Sequence, residues 1–264
     1  MLTELRGKGG TLCGLAREGK VRCPLIVRPT SEDVITGQLF QTLSCIEPRW
    51  WLADLLWAAG LGPMSRPRLF RRLRIELWTK RPPFPPQWLP WDEGVTEVDA
   101  VVKWENPPTT LYVEMKYQSA VATKTTHSHR NASLPADQLA RNIRVGLHEC
   151  GWYSRGDLFP SPPRQFMLLL IAPERGHPLV ARYRPLAEIW NVLPRADRLV
   201  GLPRGTFVGE ISYREIEEIL LSHHRFMCRS EQRLAELLRD YLAFKRRRSA
   251  PPTVSLPLAQ AELF

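Results

Sequence analysis

The segment TEVDAVVKWENPPTTLYVEMKYQS, residues 96–119, decides the fold of this chain. Its first part is rich in valine, and Asn106–Thr110 then interrupts it with two prolines, which break a strand and favour a turn. The run LYVEMKY, residues 111–117, alternates apolar and polar side chains with the period of two that is typical of a strand. We therefore predict two strands joined by a tight turn.

Charged side chains of this strand pair are expected to converge. Glu114 and Lys116 are two residues apart, so they project from the same side of one strand, and pairing around the turn brings Asp99 to the same place. Two carboxylates at a strand end suit Mg²⁺, which binds few carboxylates and keeps several waters. A lysine beside the cation can hold or deprotonate an attacking water and offset charge on a phosphate. The alternative is that all three are ordinary solvent-facing residues of an edge strand.

The pattern of an Asp, a spacer and then Glu-x-Lys resembles the signature of the PD-(D/E)xK nuclease superfamily. The resemblance implies that Asp99 and Glu114 bind Mg²⁺ or Mn²⁺, that the carbonyl of Met115 is a further metal ligand, and that Lys116 serves the nucleophilic water. Val98 stands where the signature has proline, at a position that varies in the family.

Two predicted helices add residues to this site by the same resemblance. SEDVITGQLFQTLSCI begins with Ser31 as a helix cap and acidic residues in the first turn. It resembles the superfamily's helix before the first core strand, which implies that Glu32 points into the metal site. The predicted helix at 135–150 resembles the one after the Glu-x-Lys strand, which implies that Gln138 orients water or the scissile phosphate and that Arg141 contacts a phosphate. Simple dipole compensation by Glu32 and solvated side chains on the later helix are the alternatives.

The order of predicted elements over residues 31–173 is helix, three strands, helix and strand. This order resembles the restriction-endonuclease-like αβββαβ core, an α/β fold with a mixed central sheet, here followed by C-terminal helices. We predict four parts: an N-terminal arm at 1–30, the nuclease core at 31–183, a helical extension packed on the core at 184–248, and a flexible tail at 249–264.

The charge balance favours a polyanionic partner. The chain of 264 residues has 37 Lys and Arg against 27 Asp and Glu, a net charge of +10, and nucleic acid is the usual partner of such a protein. We expect Arg72 and Arg74, on the basic face of the first core strand, and Lys124 and Arg130, in a polar loop after the catalytic strands, to contact DNA. A merely solvated basic face is the alternative.

The last five residues, QAELF, resemble the short peptide by which bacterial proteins bind the DNA sliding clamp. The resemblance implies that Gln260 is a polar anchor and that Leu263 and Phe264 fill an apolar pocket. The alternative is a tail that packs on its own domain.

Five scattered cysteines without a CxxC pattern, and no signal sequence, indicate reduced thiols and a cytoplasmic location. No apolar run approaches the about 18 residues that a membrane span needs. The sequence thus predicts a Mg²⁺-dependent DNA nuclease that acts in repair, in mobile elements or against phage, with a homodimer as one option. A non-catalytic DNA-binding or clamp-binding subunit on the same fold is the second hypothesis.

Overall fold

The structure is a computed structural model, which describes residues 32–62, 70–91, 93–117, 134–154 and 161–249. The N-terminal arm, Lys124, Arg130 and the tail with Gln260, Leu263 and Phe264 lie outside these residues. No helix within the described ranges is long and apolar enough to cross a lipid bilayer.

One mixed sheet forms the centre of the described chain. Its strands, in both sequence and spatial order, are β1 (Arg71–Arg81), β2 (Thr96–Glu105), β3 (Thr109–Met115), β4 (Gln165–Ala172) and β5 (Val208–Ser212). The first three strands are antiparallel neighbours, whereas β3, β4 and β5 run parallel to one another. The α/β class with a mixed sheet is therefore confirmed.

Helices cover the sheet and pack on one another beside it. They are α1 (Glu32–Ser44), α2 (Leu52–Ala58), α3 (Gln138–Glu149), α4 (Pro178–Tyr183), α5 (Leu186–Trp190), α6 (Tyr213–His223) and α7 (Arg229–Ser249). All seven residues of β3 are buried, which requires cover on both faces of this central strand. α1 contacts the first three strands and α7, and α3 contacts β2 and β4.

The β2–β3 pair has the form expected from its sequence. Its register runs from Ala100 opposite Val113 to Trp104 opposite Thr109, around a turn that contains both prolines. The buried apolar run of β4 also forms the strand that its composition indicates. These elements were predictable because their patterns are local: an alternation with a period of two in β3 and a short, unbroken apolar run in β4.

The C-terminal region contributes more than helices. We expected residues 184–248 to be a largely helical extension, with a candidate strand at TFVGEIS, and β5 forms in that stretch. The placement of β5 beside β4 in the central sheet was not predicted. Ser212 ends the strand and begins α6 with a capping box, in which it exchanges hydrogen bonds with Glu215. The region is therefore hydrogen-bonded into the same sheet as the predicted core.

Gly146 lets α3 approach β4 closely, so its replacement by alanine is expected to destabilise the protein. A Cβ atom there would lie only 2.1 Å from the ring of Phe166 on β4. Overpacking of this kind costs about 1–3 kcal/mol in the free energy of unfolding, which urea titration measures. Gly94→Ala is the control, because a Cβ at that position meets no atom within 4 Å. A loss in Gly146→Ala no larger than in this control would contradict the prediction.

Candidate active site

The site is built around two buried carboxylates at one end of the β2–β3 pair. Because Ala100 lies opposite Val113, the next residues along, Asp99 and Glu114, are cross-strand neighbours. Asp99 is 4% exposed and Glu114 1% exposed. The Oδ2 atom of Asp99 accepts a hydrogen bond of 2.9 Å from the backbone N–H of Met115. The Asp99 carboxylate thus replaces a backbone carbonyl as the acceptor at the end of the β2–β3 hydrogen-bond ladder. This hydrogen bond fixes Asp99 beside β3.

Amide side chains from α3 hold the carboxylate of Glu114. Gln138 donates from Nε2 to Oε1 of Glu114 at 2.6 Å, and Asn142 donates from Nδ2 to Oε2 at 3.2 Å. The structure therefore brings Gln138 to the site, as the resemblance implied, and adds Asn142, which we had not predicted. A signal for Asn142 was present, because residues four apart on a helix share one face.

Lys116 joins the two carboxylates to α1. Its Nζ atom lies 2.9 Å from Oε1 of Glu114 and 3.7 Å from Oε2 of Glu32. Glu32 also accepts a hydrogen bond from the backbone N–H of Tyr117, and Tyr213 donates from its hydroxyl to the Lys116 carbonyl at 2.7 Å. These contacts hold both the side chain and the backbone of Lys116 just beyond the end of β3.

Electrostatic contacts make Lys116 a stable cation in this site. Burial lowers the pKa of its ammonium group, but the carboxylates of Glu114, Glu32 and Asp99 together raise that pKa, and the net pKa lies above the ordinary lysine value. At neutral pH, Lys116 is therefore a hydrogen-bond donor and a positive charge rather than a base.

The pKa of Lys116 is expected to lie above the pKa of exposed lysines. Since its folded pKa exceeds its unfolded pKa, the stabilisation from these ion pairs is fully present below about pH 10.4 and is lost as the pH rises through the folded pKa. NMR titration of lysines labelled at Cε measures this pKa directly. Glu114→Gln should bring the Lys116 titration to lower pH. A Lys116 pKa at or below that of the exposed lysines would contradict the assignment.

The donor set suits a hard divalent cation. Asp99 and Glu114 offer carboxylate oxygens side by side. Lys116 N donates to the carbonyl of Ile171 on β4, so the carbonyl of Met115 points the opposite way, toward Asp99. Two carboxylates and one carbonyl fit Mg²⁺, which retains waters in its remaining positions. Within the described ranges, no group of three or more His, Cys, Asp or Glu side chains forms a metal-binding cluster.

Compared with protein-family models, curated proteins and solved structures, the chain matches none.

The predicted phosphate-binding arginines lie apart from the carboxylates or are held by the backbone. Arg72 and Arg74 are exposed on β1, and Arg74 pairs with Lys103, four residues along β2 from Asp99 and therefore about 13 Å away. The guanidinium of Arg141 donates to the carbonyls of Gly94 and Val95, which tightens the approach to β2. Contact of these arginines with DNA stays a prediction.

A further carboxylate, that of Glu210, lies in one row with Glu114, where a row is the set of residues that pair with one another across neighbouring strands. Glu114 pairs with Leu170 on β4, and Leu170 pairs with Glu210 on β5. Oε2 of Glu210 accepts hydrogen bonds from the backbone N–H groups of Gly176 and His177, each at 3.0 Å. Sequence reasoning missed this row, because a local pattern does not tell which strand lies beside β4.

Proposed function

We propose that the protein is a Mg²⁺- or Mn²⁺-dependent DNA nuclease of the PD-(D/E)xK type, with a restriction-endonuclease-like core. The observation that carries the proposal is a single lysine ammonium, Lys116, on which the carboxylates of Glu114, Glu32 and Asp99 all act. Three carboxylates against one ammonium leave a negative site that a divalent cation would neutralise. The elements over residues 32–172 are two helices, three strands, a helix and a strand, and this order resembles that of the core except for the extra helix α2.

Burial argues against the alternative of an ordinary solvent-facing edge strand. Asp99 and Glu114 lie on the second and third of five strands and are almost completely buried. Burying charged groups is costly, so their presence side by side in the sheet indicates a role beyond folding.

In the proposed reaction, this chain's residues bind and orient the reacting groups. Asp99, Glu114 and the Met115 carbonyl would hold the cation, which when bound supplies Lewis-acid stabilisation of charge on the phosphate. Lys116 donates a hydrogen bond to the attacking water or to a phosphate oxygen and offsets the charge that develops there. Glu32 positions the Lys116 ammonium.

The two amides of α3 have a separate task in this proposal. Gln138 and Asn142 fix the orientation of the Glu114 carboxylate through their hydrogen bonds. A preorganised carboxylate does not need to rearrange when a cation or a substrate binds. Gln138 also remains close enough to the site to orient a water or a phosphate oxygen, the role that the resemblance implies.

A metal-dependent cleavage assay tests the proposal. We expect the protein to nick or linearise plasmid DNA with Mg²⁺ or Mn²⁺ and to be inactive with EDTA, and Lys116→Ala to lose the activity. Lys103→Ala is the matched control, because Lys103 lies on β2 but makes ion pairs with Glu76 and Glu149 outside the site. Equal cleavage by Lys116→Ala and the wild type would reject this active site.

A second candidate function is a non-catalytic subunit that binds DNA or, through its tail, a sliding clamp. One observation favours it: both carboxylate oxygens of Glu114 are already engaged by Gln138, Asn142 and Lys116, so the cluster is satisfied by the protein itself. Calorimetric titration with Mg²⁺ and Mn²⁺ separates the two. DNA binding together with an absence of metal binding would support this second candidate over the nuclease.

A further inference from the structure

The turn after β4 is held at the same edge of the sheet as the candidate active site. Glu114 and Glu210 are two strands apart, about 10 Å between backbones, in one cross-sheet row. Glu210 binds the N–H groups of Gly176 and His177, and Gly176 adopts a positive φ of 98° that favours glycine. The turn therefore brings His177 to the carboxyl end of the parallel strands.

A second set of contacts ties this turn to α3. Tyr183, at the end of α4, donates from its hydroxyl to Asp137. Asp137 caps α3, and the next residue, Gln138, binds Glu114. Because the backbone of His177 is hydrogen-bonded to Glu210, which lies in the same row as Glu114, the imidazole lies at the same end of the sheet as the candidate active site.

The hydrogen bonds of His177 define its tautomer. Nδ1 accepts a hydrogen bond of 3.2 Å from the backbone N–H of Leu179, so in the neutral ring the proton is on Nε2. Burial and the charge of Lys116 lower the pKa of His177, whereas Glu210 and Asp137 raise it. The net pKa lies below the ordinary histidine value, so the ring is neutral at pH 7. No described residue accepts a hydrogen bond from Nε2, so this half-buried N–H remains available to a ligand.

We infer that the Nε2–H of His177 donates a hydrogen bond to a phosphodiester oxygen of nucleic acid bound at the candidate active site. This inference rests on the proposed nuclease function and assigns a substrate contact to a residue outside the Asp–Glu–Lys pattern. A neutral, fixed donor can stabilise negative charge on a phosphate oxygen without transferring its proton. The negative carboxylates nearby would repel that oxygen, and the donor offsets part of this repulsion.

A matched pair of substitutions separates this contact from a purely structural role. The side-chain oxygen of His177→Asn can still accept from the Leu179 N–H, as at a helix cap, but nothing replaces Nε2. His177→Gln can place an N–H near the position of Nε2 but loses the cap. We expect cleavage to fall about 100-fold in His177→Asn and to stay within about 5-fold of the wild type in His177→Gln.

Thermal unfolding should rank the two variants the other way: the melting temperature should fall more in His177→Gln, which loses the cap, than in His177→Asn, which keeps it. If His177 only caps the turn, His177→Asn will match the wild type in both measurements, and that result would overturn the inference.

A readout without cleavage keeps this inference distinct from the nuclease proposal. Imidazole ¹⁵N spectra of the Asp99→Asn protein should show His177 with its proton on Nε2, and a DNA duplex with Ca²⁺ should shift the Nε2 signal. If DNA shifts this signal but the wild-type protein does not cleave DNA with Mg²⁺ or Mn²⁺, the nuclease is refuted and the contact is supported. Cleavage by the wild-type protein without any DNA-induced shift in the variant would refute the contact alone. If the wild type does not cleave and the variant shows no shift, both proposals are overturned.

Discussion

Replacing Asp99 by asparagine is expected to abolish the metal-dependent DNA cleavage that we propose, while the protein stays folded. The asparagine oxygen can still accept the hydrogen bond from the Met115 N–H, so the end of the β2–β3 pair keeps its geometry. The lost carboxylate charge removes the main attraction for a divalent cation at that position. A bound cation contributes several kcal/mol of transition-state stabilisation, so its loss should lower the cleavage rate by at least about 1,000-fold.

Stability measurements make this prediction more specific. Asp99→Asn removes one of two neighbouring buried negative charges, so its melting temperature without metal should equal or exceed that of the wild type. Saturating Mg²⁺ should raise the melting temperature of the wild type, since a ligand at 100 times its Kd stabilises the folded state by about 2.7 kcal/mol. The variant should gain little from the same Mg²⁺ concentration.

Glu105→Gln provides the control for the Asp99 experiment. It makes the corresponding acid-to-amide change on the same strand, at a residue that pairs with Arg164 and lies far from the site. This variant should cleave DNA and respond to Mg²⁺ like the wild type. Cleavage by Asp99→Asn within tenfold of the wild-type rate would show that Asp99 does not bind a catalytic metal.

Much of the site was predictable because it is built by a local strand pair. The turn at Asn106–Thr110 sets the register, and the period of two places Glu114 beside Asp99. The first residue of α1, Glu32, reaches Lys116, which the acidic first turn alone does not imply and which the family resemblance suggested. For Asp99, Glu114 and Lys116, short-range spacing and strand geometry were sufficient.

The segments that border the candidate site on the side of β4 and β5 depend on contacts between distant parts of the chain. His177 and Glu210 come into contact only because β5 pairs in parallel with β4. The sequence of neither strand indicates which strand it pairs with. The behaviour of Lys116 was also not predictable, because its pKa depends on how burial balances against three carboxylates. Spacing indicates which residues share a face but not how much charge surrounds them.

Arg144→Met is expected to be among the most destabilising single substitutions in the described core. Arg144 and Glu93 form an ion pair of 2.6 Å in which the two side chains are 0% and 1% exposed. Arg144 also donates to the carbonyl of Pro135 and lies over the ring of Trp91. Its loss leaves the Glu93 carboxylate buried without its cation, which costs about 3–5 kcal/mol of unfolding free energy.

The double variant Arg144→Met with Glu93→Leu should recover most of that loss. Oε2 of Glu93 and Nε of Arg144 are buried without a hydrogen-bond partner among the described residues, so the pair is incompletely satisfied and an apolar replacement removes that cost. Urea unfolding of both single variants and the double variant gives the coupling energy. Arg195→Met, which breaks an exposed pair with Asp197, should leave the unfolding midpoint unchanged. A double variant as unstable as the sum of its single variants would show that Arg144 stabilises α3 by packing rather than by neutralising Glu93.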